Sequence, residues 1–115
     1  MVVFERPDRT RAVIVCASNP LRSYADTTAY EKAFDRLDLL VTIEENAVAG
    51  GAGSAVNEWL AANAKSVNVL NLGFPDAFVG QGTQAEMLSE WGLDTEGMLS
   101  SIQQRLAIID ASNCQ

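Results

Sequence analysis

Gly50, Gly51 and Gly53 stand just before Ser54 in the run "ENAVAGGAGSAVNEWL". Glycines ahead of a helix start leave backbone N–H groups open, and an anion such as a phosphate could rest on them. The spacing narrows that reading. A dinucleotide fingerprint needs a G-x-G-x-x-G/A frame directly after a strand. Here Gly51-Ala52-Gly53-Ser54-Ala55-Val56 puts valine in the third place, and the loop begins several residues past Glu44. The following strand ends "NLG", with no acid to hold a ribose, and the Gly-Lys-Ser/Thr of a Walker loop is absent. The glycines are read first as shaping residues that allow tight turning and close helix–sheet contact. Gly50, Gly51, Gly53 and Ser54 remain weak anion-site candidates.

Two further groups could do chemistry. Ser18 and Asn19, in "VCASNP", close an apolar run at a strand's carboxyl end, where open sheets usually bind ligands. They join the weak anion-site candidates, although they are read first as an Asn-Pro turn. Glu44 and Glu45 could form an acid/base pair. Adjacent strand residues face opposite sides, however, so one of them is expected to accept from loop N–H groups beside the glycines. The chain contains no histidine, which removes the commonest general base, the Ser-His and Cys-His pairs and most zinc sites. Cys16 and Cys114 make no metal spacing. Cys16 is expected to be buried and Cys114 to be a free thiol in a polar tail. No catalytic residue, metal ligand or cofactor site is assigned.

Composition agrees with a modest functional repertoire. At 115 residues, 48% hydrophobic and 20% charged, the chain fits one globular domain. Its net charge of −7, from 15 acids against 8 bases, disfavours nucleic acid or an anionic membrane as partner. No long apolar run suggests a membrane span, and "MVVFERPDRT" lacks a signal-peptide pattern, so a cytoplasmic location is the expectation.

The elements that must position these residues alternate. Ala12–Ala17 reads as a buried parallel strand. Asp26 can cap a helix carrying Tyr30, Ala33, Phe34 and Leu37, and Leu39–Glu44 is a second buried strand. Ser54 is the expected cap of a helix with Val56, Trp59 and Leu60 on one stripe. "VNVLNLG" is a third strand. Thr83 and Glu86 have the capping-box spacing before a short helix with Met87, Leu88 and Trp91, which Gly92 should stop. Asp94 should cap a last helix carrying Met98, Leu99, Ile102 and Leu106, followed by a frayed tail at 109–115. Val2–Glu5 adds an edge strand. Such alternation implies a parallel sheet with helices packed against it. Exposed edges, an incompletely covered face, and the aromatics Phe74, Phe78, Trp59 and Trp91 give a motive for a homodimer through a sheet edge or an aromatic face.

From Val41 onward, "VTIEENAVAGGAGSAVNEWL" and "VLNLGFPDAFVGQGTQAEMLSEWGLDTEGM" resemble the end of the 1-deoxy-D-xylulose-5-phosphate synthase family, over about residues 39–106. That resemblance implies a domain of the transketolase C-terminal type. It also implies that thiamine and substrate groups come mainly from other domains; no Gly-Asp-Gly thiamine motif occurs in this chain. The family's strand-helix-strand-helix and "RFVKP"-like segment before "VTIEEN" are not seen. Instead, residues 11–43, with the pattern "SNPLRSY.DT..Y..A...LD.LV", look like a stretch of molybdopterin oxidoreductases. There the equivalent of Ser18 and Asn19 lies near a pterin dinucleotide held by several domains.

These readings give one α/β domain over 1–115, a layered α/β/α with a short, mostly parallel sheet of three to four strands, Rossmann-like or transketolase C-terminal-like. The leading functional expectation is a domain without intrinsic catalysis, a chimera of 1–38 and 39–108 joined at "LLVTIE", engineered or naturally fused, with no cofactor. The alternatives are a truncated synthase C-terminal domain with an assembly role, and a weak anion- or nucleotide-binding module at the glycine loop.

Overall fold

The computed structural model describes residues 2–5, 10–16, 32–78 and 80–114. Its strands are β1 (Val2–Glu5), β2 (Thr10–Cys16), β3 (Leu39–Ala47) and β4 (Val69–Phe74), in a single sheet of order β1-β2-β3-β4. β2, β3 and β4 run parallel, and β1 adds antiparallel to β2. Among the described residues, besides the helical 32–34, the helices are α1 (Ala52–Ala62), α2 (Gln84–Glu90) and α3 (Thr95–Asn113). The mostly parallel α/β architecture is the one the alternating pattern implies. Among the described residues, no helix is long and apolar enough to cross a membrane.

The period-2 alternation of strand side chains sends consecutive apolar residues to two different cores. Register pairs Ala12 with Leu39 and Ile14 with Val41, then Val41 with Leu70. These side chains meet Ile102, Leu106 and Ile109 of α3 on one face. Val13, Val15 and Leu40 point the other way and meet Phe34, Val56 and Leu60, with Trp59 and Val69 packed at the margin. Continuous runs such as "AVIV" and "LLV" are therefore apolar because both faces of the sheet are buried. Each fully buried Leu or Val contributes about 1.5–3 kcal/mol relative to exposure.

Several expectations shift. Residues 32–34 are helical and Phe34 is buried, but Ala33 is exposed; Asp26 and Tyr30 lie outside the described residues. One face was expected to be poorly covered, but both carry buried clusters against helical residues, and cover is thinner along β4, where every residue is half-buried. Cys16 is exposed rather than buried: it is the last residue of its strand, and its register partner Ile43 is itself only half-buried. The stripe of α3 runs through Ile102, Leu106 and Ile109, leaving Leu99 exposed. That i, i+4, i+7 stripe carries the helix through to Asn113, where a frayed tail was expected from residue 109. Trp91 and Phe78 are exposed, whereas Trp59 and Phe74 are half-buried.

The helix ends follow their local chemistry. Thr83 caps α2 in a reciprocal box with Glu86, and Asp94 caps α3 by accepting from the Gly97 N–H at 2.9 Å. Gly92, just beyond α2, has φ +68°, the left-handed conformation that ends a helix most easily at glycine.

Candidate functional site

Past Val41, the α1-facing side of β3 changes from apolar to polar. Thr42 and Glu44 alternate onto that side, and both are only 4% exposed. Register sets Thr42 beside Asn71, and its hydroxyl donates to the Asn71 side-chain oxygen at 2.6 Å. β3 carries an irregularity between Ile43 and Ala47, and the chain then turns back through Val48–Gly51 so that α1 begins directly over Glu44. The Ala52 N–H donates to Glu44 Oε1 at 3.0 Å and the Gly53 N–H to Glu44 Oε2 at 2.8 Å. The helix N-terminus thus holds an internal anion. The unpaired N–H groups and the positive end of the macrodipole favour a carboxylate there, and charge-assisted bonds are the stronger class.

The glycines make room for that contact. A Cβ on Gly53 would lie 2.7 Å from Thr42 Oγ1 and 2.9 Å from Glu44 Oε2, and one on Gly51 would collide with Glu44 Oε1. Ser54 lies inside the first turn of α1 rather than at the cap, which is Gly51 with no side-chain cap bond. The helix has already begun at Ala52, whose N–H, like that of Gly53, is taken by the Glu44 carboxylate. The Ser54 hydroxyl instead closes the loop, donating to the Val48 carbonyl at 2.7 Å and accepting from the Gly50 N–H at 3.1 Å.

Gly51 and Gly53 therefore stand against Glu44 and Gly50 and Ser54 bond each other in the same loop, while Ser18 and Asn19 lie outside the described residues. Glu45 faces away, exposed, and accepts from Gln84 Nε2 at 3.1 Å. The two carboxylates do not share a site. A diphosphate such as that of thiamine does not fit the loop: the Ala52 and Gly53 donors already serve Glu44, and a second anion would meet its buried charge. Among the described residues, no group of three or more His, Cys, Asp or Glu side chains is placed to hold a metal.

Two charged clusters lie elsewhere. Arg11 binds Asp38 at 2.6 Å and Asp110 at 2.5 Å, tying the start of β2 to the start of β3 and the last turns of α3. The bond to Asp38, then that to Asp110, raises the Arg11 pKa above the ordinary arginine value. The Thr83 backbone N–H, then its hydroxyl, lowers the Glu86 pKa. A cavity of about 360 Å³ opens at the other end of the sheet, lined by Asn68, Arg105, Ile108, Ile109, Ser112 and Asn113. Sequence spacing alone did not bring Thr42, Asn71 or Arg11 forward. Their only signal was a polar residue interrupting an apolar strand.

Comparison with known proteins agrees with this geometry. The family described as "Transketolase, C-terminal domain" matches residues 16–98, the span that holds β3, α1, β4 and α2. A 1-deoxy-D-xylulose-5-phosphate synthase of Pseudoalteromonas translucida is 49% identical over 78 residues, 68% of this chain and 13% of the relative. The synthase of Escherichia coli O6:K15:H31 is 59% identical over 70 residues, 61% of this chain and 11% of the relative. That of Enterobacter sp. is 51% identical over 82 residues, 71% of this chain and 13% of the relative. The chain thus spans about an eighth of the length of these relatives. The family match runs unbroken through "LLVTIE", the expected seam, and none of these three relatives is a molybdopterin oxidoreductase. On the span matched and the identities found, the chain belongs to the transketolase C-terminal domain family.

Proposed function

We propose that the chain is a non-catalytic assembly domain of a 1-deoxy-D-xylulose-5-phosphate synthase-type enzyme. The observation that carries this reading is the placement of Glu44. The buried acid of the synthase-like stretch bonds its own backbone at Ala52 and Gly53, so it holds the fold together. The identity to three synthases supplies the enzyme class. The test is an exchange: this chain replaces the matching segment of the Escherichia coli synthase. The hybrid is expected to keep the parent's oligomeric state and to form 1-deoxy-D-xylulose 5-phosphate, while the chain alone forms none. Product from the chain alone, or a folded hybrid that fails to assemble, would overturn the reading.

The glycine loop is taken as structural on the same grounds. Phosphate or a nucleotide at millimolar concentration should leave the amide signals of Gly51, Gly53 and Ser54 unmoved. A shift at micromolar ligand would instead make Gly50, Gly51, Gly53 and Ser54 an anion site.

A second reading keeps residues 11–43 as a fragment of molybdopterin oxidoreductase type joined at β3. Its support is the residue pattern from Ser18 to Val41, and the close β2–β3 register, Ala12 to Leu39 through Cys16 to Ile43, would let such a joint pack. The continuous family match favours the first reading. The origin of the coding DNA separates the two: a reading frame continuous with an upstream synthase supports assembly, and a designed gene supports fusion.

A further inference from the structure

Arg105 is a half-buried cation without an acid. Its Nη1 donates to the Val69 carbonyl at 3.0 Å, a neutral backbone group at the start of β4. No carboxylate of the described residues lies within ion-pair reach of it, although the chain carries 15 acids against 8 bases. Arg11 shows the contrast, since it holds both Asp38 and Asp110. A guanidinium carries five N–H donors in a planar fork. One Nη1 hydrogen serves Val69, which leaves the Nε–Nη2 edge, and that edge matches the two oxygens of a carboxylate. Bonds between charged groups are about twice as strong as neutral ones, so most of what Arg105 can bind is still unspent.

Arg105 opens onto the cavity of about 360 Å³ that it lines with Asn68, Ile108, Ile109, Ser112 and Asn113. That volume falls at the lower end of small-molecule sites, about 300–1,000 Å³. The described lining holds no acid, so its one formal charge is that of Arg105. The spacing of residues 105, 108, 109, 112 and 113 sets them on one stripe of α3. Along it the chemistry runs from the guanidinium, past two isoleucines, to a hydroxyl and an amide. Ile109 is buried in the core, but Ile108 is 61% exposed and gives the cavity an apolar wall. The Ser112 hydroxyl already donates to the Ile108 carbonyl, and the Asn68 amide donates to the Asp38 carbonyl. Arg105 therefore carries the strongest unfilled capacity in the lining. It stands eight residues before Asn113, about 12 Å along the helix axis. The negative end of the helix dipole acts only within the last turn and does not oppose an anion there. Asp110, on the same stretch of helix, is already held by Arg11.

We propose that this cavity binds a small organic monocarboxylate, its two oxygens on the Nε–Nη2 edge of Arg105 and its apolar body along Ile108 and Ile109. Phosphate fits less well, because the lining offers a single cation and no helix N-terminus. A neutral ligand leaves the fork unused, and a cation meets its charge. The site is independent of the assembly role, since it uses only the end of α3 and the start of β4.

The test titrates the whole isotope-labelled chain with isovalerate at neutral pH and constant ionic strength. Isovaleramide is the neutral isostere, and inorganic phosphate is the second anion. Isovalerate should bind in the millimolar range and shift the Arg105 Nε–H signal with the amides of Ile108, Ser112 and Asn113. Isovaleramide should bind at least tenfold more weakly. Arg105→Gln should lower the affinity for isovalerate at least tenfold. Ile108→Asp, at an exposed position outside the core, should do the same by setting a like charge beside the ligand. No saturable shift up to about 50 mM isovalerate overturns the proposal. So does equal binding of the amide, tighter binding of phosphate, or unchanged affinity in either variant. If Arg105→Gln does not fold, Ile108→Asp and the isostere decide. The assembly reading is decided by its synthase hybrid, whichever way this titration falls.

Discussion

The carboxylate of Glu44 accepts the Gly53 N–H at 2.8 Å across a gap too narrow for any side chain on Gly53. Acid and glycine therefore depend on each other. The acid satisfies a helix N-terminus that has no side-chain cap. The glycine lets the helix come close enough to be satisfied.

Removing the acid leaves the Ala52 and Gly53 N–H groups without their acceptor. Glu44→Ala should cost about 3 kcal/mol, the scale of losing charge-assisted bonds at buried donors. Glu44→Gln should cost less, about 1–2 kcal/mol, because its amide oxygen still accepts one bond. Urea unfolding midpoints at unchanged m-value measure both.

Filling the gap tests the other partner. Gly53→Ala puts a methyl group against Thr42, Glu44 and Asn71 and should cost about 1–3 kcal/mol. Gly80→Ala, where nothing lies within 4 Å, is the control and should stay within about 0.5 kcal/mol. Equal effects at the two positions would mean that close approach is not the reason for Gly53.

Arg11 joins three elements. Arg11→Met removes the 2.6 Å ion pair to Asp38, whose side chain is only 10% exposed, and should cost about 2–3 kcal/mol. Asp110→Asn, at a half-exposed carboxylate, should cost less than about 1 kcal/mol. Because the folded pKa of Arg11 is raised, its contribution is complete below the ordinary arginine value and lost only as pH climbs through the higher folded value. The Arg11→Met difference should therefore stay constant from about pH 7 to about pH 11. Chemical denaturation across that range reads it.

Glu86 carries the acid-side dependence. Its folded pKa is lowered by Thr83, so its support for α2 is present above the usual carboxylate value and fades as pH falls through the folded one. Thr83→Ala should loosen Gln84–Glu90 at pH 7, read as smaller helical Cα chemical shifts. As pH falls through the lowered folded pKa of Glu86 the difference should narrow without vanishing, because the bond from the Glu86 N–H to the Thr83 hydroxyl does not depend on the carboxylate. Full convergence in acid would mean that the hydroxyl cap contributes nothing by itself.

Local chemistry was legible in the residues themselves. The runs "RAVIVC" and "DLLVTIE" fix strands buried on both faces, because a continuous apolar run leaves neither side for water. Thr83, Glu86, Asp94 and Gly92 fix helix ends through bonds that span three or four residues. Alternation separates Glu44 from Glu45, so one of the two could be tied to the glycine loop, and the structure shows that it is Glu44. Tertiary structure decided the rest. Cys16 lost its burial at a sheet end, and Ser54 fell inside the first turn because α1 begins at Ala52, where a carboxylate eight to nine residues upstream takes the first N–H groups. Ile109 became core because the α3 stripe packs on Ala12, Ile14, Leu39 and Val41, strand residues far earlier in the chain. Spacing along a chain reports only near neighbours. The open side of β4 exists only once β3 has occupied the other, so no stretch of sequence could show it.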